Sequence, residues 1–193
     1  MNRATIKAVA KQQIKGNIGI MFLVTLLVGL ISGALVAIPV VGAIADALIV
    51  GAFSLAMIDM YMGMAAGKKP KVADLFSRMK DMLPAFCTSF LTGLFVALWS
   101  LLLMIPGIVK ACSYSQAMYI LAEDPSIGAM EAIRRSKAMM EGHKMEYFKL
   151  LLSFFGWAIL GTFTLGILYI WLTPYMSATF ANYYRYLKGE KID

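Results

Sequence analysis

The sequence predicts an all-α polytopic membrane protein, with six transmembrane helices in three hairpins, each hairpin preceded by a cytoplasmic amphipathic helix. Hydrophobic residues make up 60% of the 193 positions, and the mean hydropathy of +0.73 is too high for a soluble domain. A helix needs about 20 apolar residues to cross a bilayer. Residues 1–193 therefore form a single integral membrane domain, with spans near 18–38, 41–62, 85–104, 106–122, 147–164 and 167–184.

The distribution of positive charge predicts the orientation of these spans. All of the 18 Lys and Arg residues except Lys110 lie before the first span, between the second and third, between the fourth and fifth or at the edge of the fifth, or after the sixth. Loops rich in Lys and Arg stay on the cytoplasmic side during insertion. We therefore expect the basic gaps and both termini to be cytoplasmic. The net charge of +7 is explained by orientation and by contact with anionic headgroups, so nucleic acid is not an expected partner.

The first unit begins with a basic amphipathic helix. Its positive residues recur every four positions, with apolar residues near the opposite face: Arg3, Lys7, Lys11 and Lys15 against Ile6, Val9, Ala10 and Ile14. The two spans that follow are joined by an outer turn at 37–44. A Gly29-x-x-x-Gly33 motif in the first span predicts close helix packing, either against a neighbouring span or against a second copy of the chain.

The second unit starts with an apolar stripe of helical period within residues 71–83, formed by Val72, Leu75, Phe76, Met79, Met82 and Leu83. We expect this segment to lie as a helix in the cytoplasmic interface. The third span leads to an outer turn at 104–111. The fourth span is the weakest because it contains Lys110 and several polar residues, but the basic gaps on either side of this hairpin require it to cross.

The third unit begins at Asp124, which can cap a helix whose first residue is Pro125. This helix, over 126–140, has an apolar side marked by Ile127, Met130, Ile133 and Met140, and we expect it to lie in the interface. The fifth and sixth spans follow, joined by an outer turn at 163–170.

Ionisable residues within spans are the best pointers to function, because an unpaired charge in a membrane is costly. Lys110 and Asp46 each follow an outer turn and are predicted to lie roughly 6–10 Å below the outer surface. The favoured interpretation is that Lys110 extends to the outer headgroups while Asp46 sits in the interface. The alternatives are an ion pair between the two residues, or a substrate or proton site that also includes Ser113, Ser115 and Gln116. We predict that Lys110 and Asp46 approach each other below the outer surface, since a buried pair costs less than a buried single charge.

Catalytic and cofactor-binding motifs are missing from the sequence. It has neither a His-Glu-x-x-His nor a Gly-x-Ser-x-Gly motif, and it lacks a phosphate-binding glycine loop. The single histidine, His143, has no second metal-ligand type beside it, so we expect no metal site. We therefore predict no catalytic residue, no cofactor and no enzymatic activity.

Several segments carry a family resemblance: “QIKGN” at 13–17, “IPGIVKACSYSQAMYILAEDP” at 105–125, and most of 131–184, which ends in “SATFANYY”. They resemble domain-of-unknown-function family 975, a group of uncharacterised bacterial integral membrane proteins. The resemblance covers essentially the whole chain and implies a multi-spanning bacterial membrane protein of unestablished role, but it supplies no catalytic residues. We expect the protein to lie in the bacterial inner membrane. His143 stands where the family pattern has Asn, and Cys112 where it often has Tyr, so no mechanism is built on those two residues.

These observations lead to three hypotheses for function. The first is a non-enzymatic accessory or stress/immunity-type factor that acts through membrane lipids, a protein partner or a second copy of itself. The alternative is a small transporter or channel with a polar path near Lys110 and Asp46. An intramembrane enzyme ranks third.

Overall fold

The computed structural model describes residues 3–38, 40–164, 166 and 168–190. All regular secondary structure in this part of the chain is helical, which confirms the all-α prediction. The predicted outer turns at 37–44 and 163–170 include Pro39, Leu165 and Ile167, which lie outside the described residues. Lys191 also lies outside them.

Nine α-helices of the described chain build the fold. In chain order they are α1 (Arg3–Ile14), α2 (Ile18–Val36), α3 (Val41–Ala65), α4 (Met82–Leu102), α5 (Met104–Tyr114), α6 (Ala117–Glu123), α7 (Ala129–Met139), α8 (Lys144–Phe163) and α9 (Tyr169–Leu187). Short 3-10 turns precede α4 and α7, at Val72–Phe76, Met79–Asp81 and Pro125–Ile127.

Three described segments are long and apolar enough to cross a membrane: Ile18–Val36, Val41–Ala65 and Val72–Leu102. They overlap the first three predicted spans. The predicted fifth and sixth spans are the 20-residue α8 and the 19-residue α9. These two helices are long enough, but charged residues near the start of α8 and tyrosines in α9 make them more polar. Length and apolarity therefore support three spans, not the predicted six.

The prediction of a continuous fourth span at 106–122 is wrong. The chain here forms two shorter helices, α5 and α6, which are separated at Ser115 and Gln116. At 1.5 Å per residue, neither the 11-residue α5 nor the 7-residue α6 is long enough to span a bilayer alone.

The prediction of an amphipathic α-helix over 71–83 is also wrong. The chain makes two 3-10 turns there, and α4 begins at Met82. The Asp74 carboxylate accepts a hydrogen bond from the Lys71 backbone N–H at 2.9 Å, and the Ser77 hydroxyl donates to the Asp74 carbonyl oxygen at 2.6 Å. Such local side-chain bonds compete with the α-helical pattern. Leu75 alone of the predicted stripe is fully buried.

The other two amphipathic segments are helical, with one shifted boundary. Helix α1 buries Ile6, Ala10 and Ile14, as its apolar face predicts. In the third segment, Asp124 caps a 3-10 turn by accepting from the Ser126 backbone N–H at 3.1 Å. Helix α7 starts only after Gly128. The φ of +74° at this residue separates α7 from the preceding 3-10 turn, and it is a conformation that glycine adopts readily.

Polar contacts gather several helix ends at one end of the molecule, which we call the charged end. The Arg185 guanidinium donates to the Ala65 carbonyl oxygen at 3.1 Å, which joins the last turn of α9 to the end of α3. The Lys188 ammonium lies 2.6 Å from a Glu123 carboxylate oxygen, which joins α9 to the end of α6. The start of α8 belongs to the same end, because the Tyr183 hydroxyl donates to the His143 carbonyl oxygen at 3.2 Å.

Helices α3 and α4 pack closely together at Gly51. A Cβ atom at this position would lie 2.9 Å from the backbone nitrogen of Phe86 and 3.1 Å from the Ala85 side chain. By contrast, a Cβ atom at Gly29 or Gly33 would have no neighbour within 4 Å. The Gly29–Gly33 motif therefore seats no neighbouring helix in the described chain.

We predict that Gly51→Ala destabilises the fold by about 1–3 kcal/mol, because the added methyl group meets backbone that cannot rotate away. The melting temperature in detergent should fall accordingly. Gly93→Ala is the matched control, since the space around Gly93 in α4 is open. Alanine favours a helix by about 1 kcal/mol over glycine, so this control should be neutral or slightly stabilising. Equal melting temperatures for the two variants would contradict the close approach at Gly51.

Candidate functional site

The break between α5 and α6 is the most polar part of the buried interior. Ser113 and Gln116 are both buried, and Ser115 lies half-buried between them. The Ser115 hydroxyl donates to the Cys112 carbonyl oxygen at 2.9 Å, and the Ser115 backbone N–H also points to that oxygen, at 3.4 Å. The Cys112 carbonyl oxygen is the one that the Gln116 N–H would use in a continuous helix. The helix is therefore interrupted here, because the Ser115 hydroxyl and backbone N–H both bind the Cys112 carbonyl oxygen.

Ser136 from α7 bridges this break. Its buried hydroxyl donates to the Ser113 carbonyl oxygen at 2.8 Å and accepts from the Gln116 backbone N–H at 3.1 Å. One side chain thus satisfies a freed acceptor and a freed donor on opposite sides of the interruption. Backbone groups buried without partners are costly, so this bridge explains how a broken helix is tolerated inside the protein.

The Gln116 side chain completes a polar cluster at the break. Its amide nitrogen donates to the Ser115 hydroxyl at 2.8 Å. The Gln116 amide oxygen is enclosed and has no hydrogen-bond partner. The break therefore presents an unused acceptor to the interior, which is the feature expected of a site for a small polar ligand or ion.

The structure brings together three of the five predicted site residues and separates the other two. Ser113, Ser115 and Gln116 meet at the break, whereas Lys110 extends to α4, with its ammonium 4.4 Å from the centre of the Trp99 ring. Such a cation–π contact contributes about 0.5–1 kcal/mol when it is exposed. Asp46 belongs to α3, where one carboxylate oxygen is enclosed without a hydrogen-bond partner.

The predicted ion pair between Lys110 and Asp46 is therefore absent. The two residues form no ion pair, although both lie in the described part of the chain. The physical reason is that α3 packs against α4, whereas α5 folds back along α4 and has its own aromatic partner there.

Arg78 ties the charged end together, a role that sequence analysis missed. Its guanidinium donates to the carboxylates of Asp59 and Asp81, and to the Ala122 carbonyl oxygen at 2.7 Å. These bonds connect α3, the start of α4 and the end of α6. The bond to Asp59, and after it the bond to Asp81, raises the pKa of Arg78. The sequence signal was the isolated Asp59 at the end of an apolar span, but its partner could not be read from spacing.

Glu123 forms a second junction at the charged end. It accepts from the Tyr184 hydroxyl at 2.8 Å and pairs with Lys188. The hydrogen bond to Glu123 is the main reason why the pKa of Lys188 is raised. Glu190 in turn pairs with Arg185, and this bond lowers the pKa of Glu190.

A reciprocal amide pair joins α1 to α9. Asn182 donates to the Gln13 side-chain oxygen at 2.7 Å, and Gln13 donates back at 3.3 Å. Asn182 is fully buried. The “QIKGN” and “SATFANYY” segments, 169 residues apart at this contact, thus meet in space.

Arginines and lysines take different roles among the described residues. Every arginine after Arg3 is ion-paired, either in the junctions above or, for Arg134 and Arg135, with Glu131. Those two bonds lower the pKa of Glu131 to about 2. Most lysines, in contrast, have no carboxylate partner: Lys11, Lys15, Lys68, Lys69, Lys71, Lys80, Lys137, Lys144 and Lys149.

A family model described as “Protein of unknown function (DUF975)” matches the chain in two segments, residues 1–113 and 101–191. The chain belongs to the DUF975 family. No curated protein and no solved structure matches it. Membership of DUF975 confirms the resemblance seen in the sequence. The contact between Gln13 and Asn182 joins segments from both matched ranges, so the two parts of the DUF975 match form one packed unit.

We predict that Ser136→Ala loosens the broken helix, because it leaves the Ser113 carbonyl and the Gln116 N–H without partners. The loss of each buried partner costs about 1–3 kcal/mol. The melting temperature should fall, and amide exchange should increase between residues 113 and 117. Ser54→Ala is the control, since the Ser54 hydroxyl bonds only within its own helix. Unchanged exchange in Ser136→Ala would contradict the bridging role.

Proposed function

We propose that this DUF975 protein is a non-enzymatic, six-span protein of the bacterial inner membrane that acts through contacts of its cytoplasmic face with anionic lipids. The proposal rests on the difference between the contacts that arginines and lysines make in this protein. Every described arginine after Arg3 pairs with a carboxylate, whereas nine lysines at or near the charged end have no carboxylate partner. Each lysine near an anionic membrane surface contributes about 1 kcal/mol of attraction.

The six-span topology of the proposal rests on the same charge pattern. The two helices α8 and α9 are long enough to cross, and the broken pair α5 and α6 together covers residues 104–123. A polar broken segment is tolerated at membrane depth where protein surrounds it. In this topology, the charged end is cytoplasmic, and so are both termini.

Cysteine labelling tests the topology. Single cysteines at positions 69, 137 and 190, in a background without Cys87 and Cys112, should resist a membrane-impermeant maleimide added to intact cells. The same positions should react fully after the cells are opened, which serves as the positive control. Strong labelling of any of the three in intact cells would contradict the topology.

Lipid-dependent stability tests the proposed function. Phosphatidylglycerol added to the detergent-solubilised protein should raise its melting temperature more than phosphatidylcholine does. We expect a combined Lys68→Gln, Lys69→Gln and Lys71→Gln variant to lose much of this difference, since three unpaired charges are removed. Arg185→Gln is the contrasting variant, because it breaks an internal pair.

Arg185→Gln should lower the melting temperature in every lipid and keep the difference between the two lipids. An equal effect of both lipids on the wild-type protein would refute the proposed lipid contact.

A transporter or channel is the second candidate, and the cluster at the helix break favours it. Interrupted transmembrane helices with free polar groups are typical of the ion sites of transporters. Proteoliposomes loaded with a pH-sensitive or sodium-sensitive dye would then show flux that Gln116→Leu abolishes and Ser54→Ala retains. The absence of flux above empty vesicles would remove this candidate for those two ions.

A further inference from the structure

A groove of about 770 Å³ lies between α7 and the helices against which it packs. We call it the α7 groove. Its lining includes Cys87 of α4, Tyr114 of α5, and Met130, Ile133, Arg134 and Lys137 of α7. The volume is within the range of about 300–1,000 Å³ that is usual for binding sites of small organic molecules.

The floor and one wall of the α7 groove are apolar. Ile133 packs with Tyr114 and Ala117 in one cluster, which fixes α7 against α5 and α6. Met130, one turn earlier on the same face, is 60% exposed and extends beside this cluster. The groove can therefore accept a hydrocarbon chain, because contact between two apolar surfaces removes both from water, which is favourable.

The groove is continuous with an apolar stripe on α4. Leu83, Cys87, Phe90 and Leu94 are spaced three or four residues apart, so they lie on one face of the helix, and all four are exposed. Nothing in the described chain covers this face, and a helix of this length and apolarity has lipid as its natural neighbour. A chain entering the groove from the membrane would pass along this stripe.

The edge of α7 that follows the apolar wall is cationic. Arg134 and Lys137 continue the helical face that begins with Met130 and Ile133. Lys137 has no carboxylate partner, and Glu131 is the single carboxylate that balances both Arg134 and Arg135. The edge of the groove thus carries two cations, Arg134 and Lys137, and one anion, Glu131, which also pairs with Arg135 outside the groove.

We infer that the α7 groove binds one anionic phospholipid of the inner leaflet. One acyl chain lies over Tyr114 and Cys87, and the headgroup phosphate contacts Lys137 and Arg134. The inference rests on the proposed cytoplasmic position of the charged end, and it goes further by assigning a specific site. A zwitterionic lipid fits the groove equally well but brings no net charge, so the cationic edge selects for anionic headgroups.

Native mass spectrometry of the full-length protein tests the site. The protein is released from nanodiscs that contain equal amounts of phosphatidylglycerol and phosphatidylcholine, and the retained lipid is counted. We expect one phosphatidylglycerol on the wild type. Ala129→Trp, which fills the groove, and Lys137→Glu, which reverses the charge at its edge, should each lower its retention by about tenfold.

Two control variants separate this site from general surface attraction. Ala138→Trp adds the same bulk on an exposed position of α7 outside the groove lining, and Lys71→Glu reverses a free charge away from it. Both should retain the lipid. Equal retention by groove and control variants would overturn the α7 groove alone, whereas a wild type without preference for phosphatidylglycerol would also overturn the proposed function.

Cys87 gives a second measurement that needs no substitution. Its thiol is exposed in the groove, whereas Cys112 is buried. Alkylation of Cys87 by a membrane-permeant maleimide should slow by about tenfold when phosphatidylglycerol replaces phosphatidylcholine in the nanodisc. A Leu94→Cys, Cys87→Ala variant, with its thiol further along the same lipid-facing stripe, should show no such change. Equal rates at Cys87 in both lipids would overturn the proposed site.

Discussion

The hydrogen bonds of Ser136 to the two sides of the α5–α6 break are the contacts on which the rest of the structure depends. In an apolar environment, a backbone group that loses its helical partner must find another within the protein. Ser136 supplies that partner for Ser113 and Gln116 with one hydroxyl. Because Ser136 belongs to α7, the interruption fixes a surface helix against the interior. The position of α7 then creates the groove beside α4.

The charged end follows from a similar constraint on the polar groups at helix termini. The last carbonyl oxygens of a helix have no partner within it. Arg78 donates a hydrogen bond to the Ala122 carbonyl oxygen at the end of α6, and Arg185 donates one to the Ala65 carbonyl oxygen at the end of α3. Arginine suits this task, because its planar group binds a carboxylate and a carbonyl at once. Lysine has a compact and strongly hydrated charge and more often faces the surroundings, so most of the proposed lipid contacts are made by lysines.

Sequence patterns predicted well those features that depend on composition along the chain. The apolar runs at 18–38 and 41–62 appear as the long helices α2 and α3, and the periodic residues Ile6, Ala10 and Ile14 form the buried face of α1. Ser113, Ser115 and Gln116 were predicted as a polar site, and they do cluster. The prediction of an α-helix over 71–83 was wrong, because it used hydrophobic periodicity alone. The local hydrogen bonds of Asp74 and Ser77 favour 3-10 turns there instead.

The sequence by itself determined the helical class, the family and the separation of positive charge from apolar segments, since each of these is a property of residue types in order. The tertiary structure alone decided which polar groups meet. Asp59 bonds to Arg78, Glu123 to Lys188 and Gln13 to Asn182, although the partners lie 19, 65 and 169 residues apart in the sequence. Lys110 finds Trp99 rather than Asp46, because helix packing sets its neighbours. Depth below a membrane surface can be estimated from spacing, but the neighbour at that depth depends on which helices touch.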